Sequence, residues 1–90
     1  MAGGLTPFWI EFDYSPEQQP PVGTRIGVGV TAIDRRDALR LVAHRVFGDG
    51  PLPPVKEIRE NVDVSSLDEG HVLRNVGPPH VRGVWFPRGY

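Results

Sequence analysis

Three histidines are the residues of this sequence best suited to metal or acid–base chemistry. His44, His71 and His80 lie in three different segments, and none forms an HxH or HExxH spacing. A zinc site needs three or four ligands that converge on the ion at about 2.0–2.3 Å, and the chain has no cysteine to complete such a set. We therefore expect no metal and no cofactor, and we interpret the histidines as solvated or capping residues.

The serines and the paired carboxylates also have structural explanations. Ser66 with Glu69 three residues later is a capping box, which suits the start of a short helical turn. No GxSxG motif marks a nucleophile. Glu11 and Asp13 lie about 7 Å apart on one face of a predicted strand, a separation at which two carboxylates could act together. A polar sheet face explains this pair better than catalysis does.

A surface of aromatic and arginine side chains is the remaining candidate. The closing run HVRGVWFP, residues 80–87, contains Arg82 and Trp85, and Trp9 lies on the first predicted strand. Exposed tryptophan and arginine side chains dominate the binding energy of many protein interfaces. We therefore predict that Trp9, Arg82 and Trp85 contact a partner.

Two glycines of the second predicted strand, Gly27 and Gly29, complete this predicted contact site. Glycine inside a strand often marks the close approach of another group, and an indole ring could lie over this pair. Loops 15–23 and 65–79 would form an adaptable rim around the aromatic side chains. The alternative left open is that these loops cover the aromatic side chains, which then form a second small core.

The elements that must position these side chains are four strands and one helix. Alternating side chains predict strands over residues 5–14, 24–33 and 80–87, and residues 55–64 are predicted as a third strand of low amphipathicity. In the first strand Trp9 falls on the face opposite Phe8, Ile10 and Phe12. In the last strand, alternation predicts that Trp85 and Phe86 face opposite sides of the sheet.

One amphipathic helix is predicted over residues 35–48. Asp34 is a suitable N-cap, and Asp37 complements the helix dipole in the first turn. Gly48 stands where a left-handed cap is expected. The apolar stripe of this helix indicates that it packs on the sheet.

We therefore predict an α+β fold, a two-layer sandwich in which one main helix covers a four-stranded antiparallel or mixed sheet. The predicted element order is β-β-α-β-short helical turn-β. The charged third strand suits an edge position, because charges there discourage edge-to-edge pairing.

Composition limits the function further. The 90 residues suffice for a single domain, residues 1–90. Ten basic and eleven acidic side chains give a net charge of −1, whereas a general nucleic-acid binder usually carries a basic excess. We find neither a signal peptide nor a run of about 20 apolar residues that could span a membrane. We therefore expect a cytoplasmic protein that does not bind a membrane.

The chain resembles small bacterial accessory proteins, such as immunity proteins, antitoxins and phage-encoded inhibitors. The resemblance lies in a small helix-covered sheet with near-neutral charge. The stretches DVSSLDEGHV and RGVWFP are also similar to those of small uncharacterised proteins from high-GC bacteria. Because the resemblance is one of format, it implies no site residue.

Our leading hypothesis is a small non-enzymatic protein-binding module that masks or scaffolds a partner. A homodimer that forms through the open sheet face or the edge strand would account for the same exposed aromatic side chains. One alternative is a small enzyme or ligand-binding domain that uses His71 and His80, with Asp68 and Glu11. Another is a single-stranded nucleic-acid binder that uses the arginines on the exposed side of the helix, although the balanced charge argues against it.

Overall fold

Residues 4–15, 26–63 and 81–87 are described by the structure, a computed structural model. The elements in chain order are strand β1 (Thr6–Phe12), strand β2 (Val28–Ala32), helix α1 (Arg35–Arg45), strand β3 (Val55–Glu60) and strand β4 (Gly83–Phe86). The predicted order of strands and helix is confirmed. The helical turn predicted after Ser66 lies outside the described residues.

The four strands form one sheet in the order β3-β1-β2-β4. Every neighbouring pair is antiparallel, which confirms the predicted α+β class and selects the antiparallel alternative. Because β2 and β3 both run antiparallel to β1, they point in the same direction. Helix α1 connects them on one face of the sheet, with β1 between them.

The main core lies between α1 and the sheet. The alternation of β1 directs Phe8, Ile10 and Phe12 towards α1, as predicted. The remaining buried members come from β2, α1 and the residue that follows it: Val28, Val30, Ala32, Ala38, Leu41, Val42 and Val46. Burying one such aliphatic or aromatic side chain contributes about 1.5–3 kcal/mol, so this layer supplies most of the stability of the fold.

Helix α1 begins as its sequence predicts and ends three residues early. Asp34 is the N-cap, and its carboxylate accepts a hydrogen bond from the Asp37 N–H at 2.8 Å. After Arg45 the chain leaves the helix through Gly48, which has the left-handed φ of 59° that the sequence predicted for a cap. Among the described residues, no helix has the length and apolar character needed to cross a membrane.

The other face of the sheet carries a second cluster, which consists of Trp9, Trp85 and Phe86. The prediction that Trp85 and Phe86 face opposite sides is therefore wrong. The pairing register of β2 and β4 shifts, because Gly29 pairs with Phe86 while Val30 pairs with Val84. Trp85 is the additional residue of this β-bulge, and a bulge interrupts the alternation of side chains along a strand.

Candidate functional site

The structure divides the five residues predicted to contact a partner into two groups. Trp9 and Trp85 belong to the second cluster, on the face opposite α1, and their rings lie against Gly27 and Gly29. Arg82 lies just before β4, and its guanidinium group bonds to α1 instead. The two groups have different surroundings and therefore different chemistry.

Each indole ring lies directly on one glycine. A Cβ atom built on Gly27 would be 2.5 Å from Cζ2 of Trp9, and one built on Gly29 would be 2.5 Å from Cη2 of Trp85. Ordinary van der Waals contacts of a Cβ are 3.4–4 Å long, so any other residue at either position would have to displace the indole ring. The expected close approach of an indole ring to these glycines is observed.

The three aromatic side chains of the second cluster also pack on one another. The ring centroids of Trp9 and Trp85 are 6.2 Å apart, and those of Trp9 and Phe86 are 5.4 Å apart. Their exposed fractions are only 4% for Trp9, 1% for Trp85 and 3% for Phe86. These rings stabilise the fold in this conformation, and their contact with a partner stays a prediction.

The polar ends of the two indole rings differ. Nε1 of Trp9 donates to Oε2 of Glu11 at 3.2 Å, along the same face of β1. Nε1 of Trp85 is buried and finds no acceptor among the described residues. A buried donor without an acceptor costs about 1–3 kcal/mol, so Trp85 must contribute through its ring rather than through its N–H group.

The enzyme alternative requires four residues, of which only Glu11 lies within the described part of the chain. Its Oε2 atom accepts from Trp9 and, at 3.1 Å, from Nη2 of Arg59. The other members, Asp68, His71 and His80, lie outside the described residues. Within the described ranges, no three side chains of the metal-binding types lie close enough together to hold a metal ion.

The carboxylate of Asp37 is the centre of the most connected polar group. Arg82 donates to it through two nitrogens, from Nε to Oδ2 at 2.9 Å and from Nη2 to Oδ1. The backbone N–H of Ile33 also donates to Oδ2, at 3.0 Å. This carboxylate therefore joins the end of β2, the first turn of α1 and the residue that precedes β4.

These hydrogen bonds favour the charged form of Asp37. The bonds from Arg82 and from the Ile33 N–H lower the pKa of Asp37 from 3.8 to about 2. The side chain of Asp37 is only 12% exposed and that of Arg82 is 47% exposed. The ion pair is thus half open to solvent and contributes less than a buried one would.

We expect this ion pair to make stability depend on pH. A lowered pKa in the folded state stabilises the protein above the unfolded pKa, and this contribution disappears as the pH falls from about 4 through about 2. In a double-mutant cycle of Asp37→Asn and Arg82→Gln, we expect a small favourable coupling free energy at pH 7, because solvent screens the exposed Arg82. At pH 2 the coupling should be less than half as large.

Urea unfolding of the four proteins of this cycle at pH 7, 4, 3 and 2, followed by circular dichroism, measures the coupling. A coupling that is equally large at pH 2 would show that it arises from packing and not from the charge of Asp37.

Three exposed apolar residues lie at the end of the sheet that carries this ion pair. The outermost pair of β1 and β2 is Thr6 with Ala32, so Leu5 and Ile33 are the next residues at this end of the sheet. Val81 adjoins Arg82, whose guanidinium shares the Asp37 carboxylate with the Ile33 N–H. Leu5 is 43% exposed, Ile33 53% and Val81 51%. We call Leu5, Ile33 and Val81 the end patch.

Sequence reasoning missed both the Asp37–Arg82 pair and the end patch. Asp37 was assigned only a helix-dipole role, and Arg82 lies 45 residues further along the chain. Leu5, Ile33 and Val81 were placed inside predicted strands. Only the antiparallel register brings these residues together, and no local spacing in the sequence encodes that register.

Comparison with known proteins provides no second source of information about this site. No protein family model matches the chain, and no curated protein or solved structure shows significant similarity to it.

Proposed function

We propose that this chain is a small non-enzymatic protein-binding module that masks or scaffolds another protein. The proposed contact surface is the end patch together with Arg82. The observation that carries the proposal is that three exposed aliphatic side chains share one end of the sheet, beside an ordered arginine.

The adjacency of the end patch distinguishes it from ordinary exposed residues. A single exposed Leu, Ile or Val is normal on a protein surface, whereas contiguous apolar side chains rimmed by polar groups mark interaction sites. Leu5, Ile33 and Val81 flank the same end of three neighbouring strands, which lie about 4.8 Å apart, so we expect their side chains to form one continuous strip. A partner that covers this strip would remove all three side chains from water at once.

Arg82 supplies the polar part of the proposed surface. Arginine is enriched at protein interfaces, where its guanidinium group binds carboxylates and backbone carbonyls. The two hydrogen bonds to Asp37 hold the Arg82 side chain in one orientation. Binding then loses less side-chain entropy than it would with a freely rotating arginine. Arg82 therefore stays in the proposed contact site, but its neighbours are Asp37 and the end patch instead of the tryptophans.

The second cluster has a supporting role in this proposal. Trp9 and Trp85 are buried against Gly27 and Gly29, so they fix the register of β1, β2 and β4. That register determines where the end patch lies. The aromatic residues of the predicted site would then act through the shape of the sheet.

Capture of a partner on immobilised protein tests the proposal. We expect wild-type protein to retain a stoichiometric protein partner, and Ile33→Asp to weaken its binding by more than tenfold, since loss of a central interface residue typically costs about 2 kcal/mol. Val55→Asp is the matched control, because Val55 is similarly exposed (40%) but lies at the other end of β1, opposite Phe12. Circular dichroism establishes that both variants fold.

Retention of the partner by folded Ile33→Asp, or equal loss in both variants, would contradict the proposed surface. Failure of the wild type to retain any protein would contradict the proposed function itself.

A further inference from the structure

We infer that the outer edge of β3 recognises a second copy of this chain, and that two β3 strands pair antiparallel in a homodimer. This inference concerns a surface other than the end patch, and it does not depend on the proposed function.

Strand β3 is available for such pairing. It is the outermost strand of the order β3-β1-β2-β4, so β1 occupies one of its edges and the described residues leave the other without a strand. Five of its six residues are exposed, and only Ile58 is half-buried. An outer strand presents unpaired N–H and C=O groups, which are a template for another strand.

The charges of β3 are self-complementary about its centre. The strand reads VKEIRE, from Val55 to Glu60. If Ile58 lies opposite Ile58 of the second copy, an antiparallel pair places Lys56 opposite Glu60 and Glu57 opposite Arg59. Two-fold symmetry repeats both pairs. Every charged residue of the strand then faces an opposite charge across the interface.

This register is favoured over the neighbouring registers, which place like charges opposite each other. A shift by one residue in one direction places Lys56 opposite Arg59, and a shift in the other direction places Glu57 opposite Glu60. Shifts by two residues place Glu57 opposite Glu57 or Arg59 opposite Arg59. Like charges directly opposite each other destabilise a strand pair, while opposite charges stabilise it. Parallel pairing in register would place every charge opposite its own kind.

The ion pairs within one chain are compatible with this pairing. Nε of Arg59 lies 3.3 Å from Oε2 of Glu57, and Glu60 pairs with Arg35. The side chains of Arg59, Glu57 and Glu60 are still 53%, 51% and 46% exposed. A second copy can therefore add a charge to each pair without breaking the existing contact.

Side-chain faces also agree across the proposed interface. Residues directly opposite each other in an antiparallel pair point to the same face of a sheet. Ile58 packs against the core on the α1 side. Both helices would therefore lie on the same face of one continuous sheet, and the two Ile58 side chains would meet beneath them. The charges that discourage pairing with an unrelated strand make this edge selective for its own copy.

A six-residue strand edge is a small interface. It buries less than the roughly 1,000 Å² expected of a stable complex, so the dimer should be weak and reversible. We expect a dissociation constant on the order of 100 µM, which corresponds to about 5 kcal/mol.

Two variants with opposite charge changes test the inference by sedimentation velocity. The acidic variant carries Lys56→Glu and Arg59→Glu, and the basic variant carries Glu57→Lys and Glu60→Lys. In each variant alone, all the facing pairs have like charge, so we expect dimerisation at least tenfold weaker than in the wild type. In an equimolar mixture all the facing pairs have opposite charge, and we expect the dimer to be restored.

Ile33→Asp in the same assay separates this surface from the end patch, and it should dimerise as the wild type does. Loss of the dimer in Ile33→Asp would move the interface to the end patch and overturn the inference. A wild type that is monomeric at about 1 mM, ten times the expected dissociation constant, would also overturn it. The inference would also be overturned if a mixture of the folded acidic and basic variants stayed monomeric.

Discussion

Replacing Gly29 with alanine is expected to lower the free energy of unfolding by about 3 kcal/mol, the upper end of the range for overpacking a close contact. The new Cβ would lie 2.5 Å from Cη2 and 2.6 Å from Cε3 of Trp85. The Trp85 ring is 1% exposed and packs in one cluster with Trp9 and Phe86, so it has little room to move. The melting temperature should fall by roughly 15 °C.

A series of glycine variants separates steric overlap from backbone strain. Gly29→Ala introduces overlap without a positive φ, whereas Gly83→Ala introduces strain at φ 142° with no atom within 4 Å of the new Cβ. Gly27→Ala introduces both, because its φ is 146° and its Cβ would meet the Trp9 ring. Gly4→Ala introduces neither and serves as the control.

Thermal melting and urea unfolding of these four variants measure how much steric overlap and backbone strain each lower the stability. Gly27→Ala should be the least stable and Gly4→Ala should match the wild type. A Gly29→Ala variant as stable as Gly4→Ala would mean that the Trp85 ring does not lie on Gly29.

Replacing Trp85 with alanine is expected to destabilise the chain by about 3–5 kcal/mol, the usual range for truncating a buried aromatic side chain. A domain of 90 residues has a total stability on the order of 5 kcal/mol or somewhat more. We therefore expect Trp85→Ala to be largely unfolded at 37 °C, with a broad loss of far-ultraviolet circular dichroism.

Trp85→Phe distinguishes the ring from its N–H group. Because Nε1 of Trp85 has no acceptor among the described residues, phenylalanine removes a buried donor while it keeps part of the ring. We expect this variant to stay folded and to lose less than about 2 kcal/mol. A folded Trp85→Ala variant of wild-type stability would contradict the burial of Trp85 and would return it to the exposed contact surface predicted from the sequence.

Much of the fold could be predicted because local signals and tertiary packing agree. The alternation of β1 and the Asp34 cap of α1 each follow from short-range chemistry, and the structure has both. The bulge at Trp85 could not be predicted, because it depends on how β4 pairs with β2, which lies far away in the sequence. Alternation alone then assigns Trp85 and Phe86 to opposite faces, which is wrong.

The candidate site was less predictable than the fold. Residue type pointed to tryptophan and arginine, and a glycine beside each ring gave a correct packing expectation. Residue type cannot distinguish a buried tryptophan from an exposed one, because both environments suit its large apolar ring. Nothing in the sequence marked Ile33 and Val81 as a contact surface, because each resembles an ordinary strand residue. Only the pairing register shows that they lie at the same end of the sheet.

The placement of both indole rings on one side of the sheet has an optical consequence. Trp9 and Trp85 are the two tryptophans of the chain, and their rings are 6.2 Å apart. All indole emission therefore originates in one layer, whereas the layer between α1 and the sheet contains phenylalanine and tyrosine. Tryptophan fluorescence therefore follows the second cluster. Far-ultraviolet circular dichroism follows helix α1 on the opposite face of the sheet. The superposition of the two curves reports directly whether the two sides of the sheet melt as one cooperative unit.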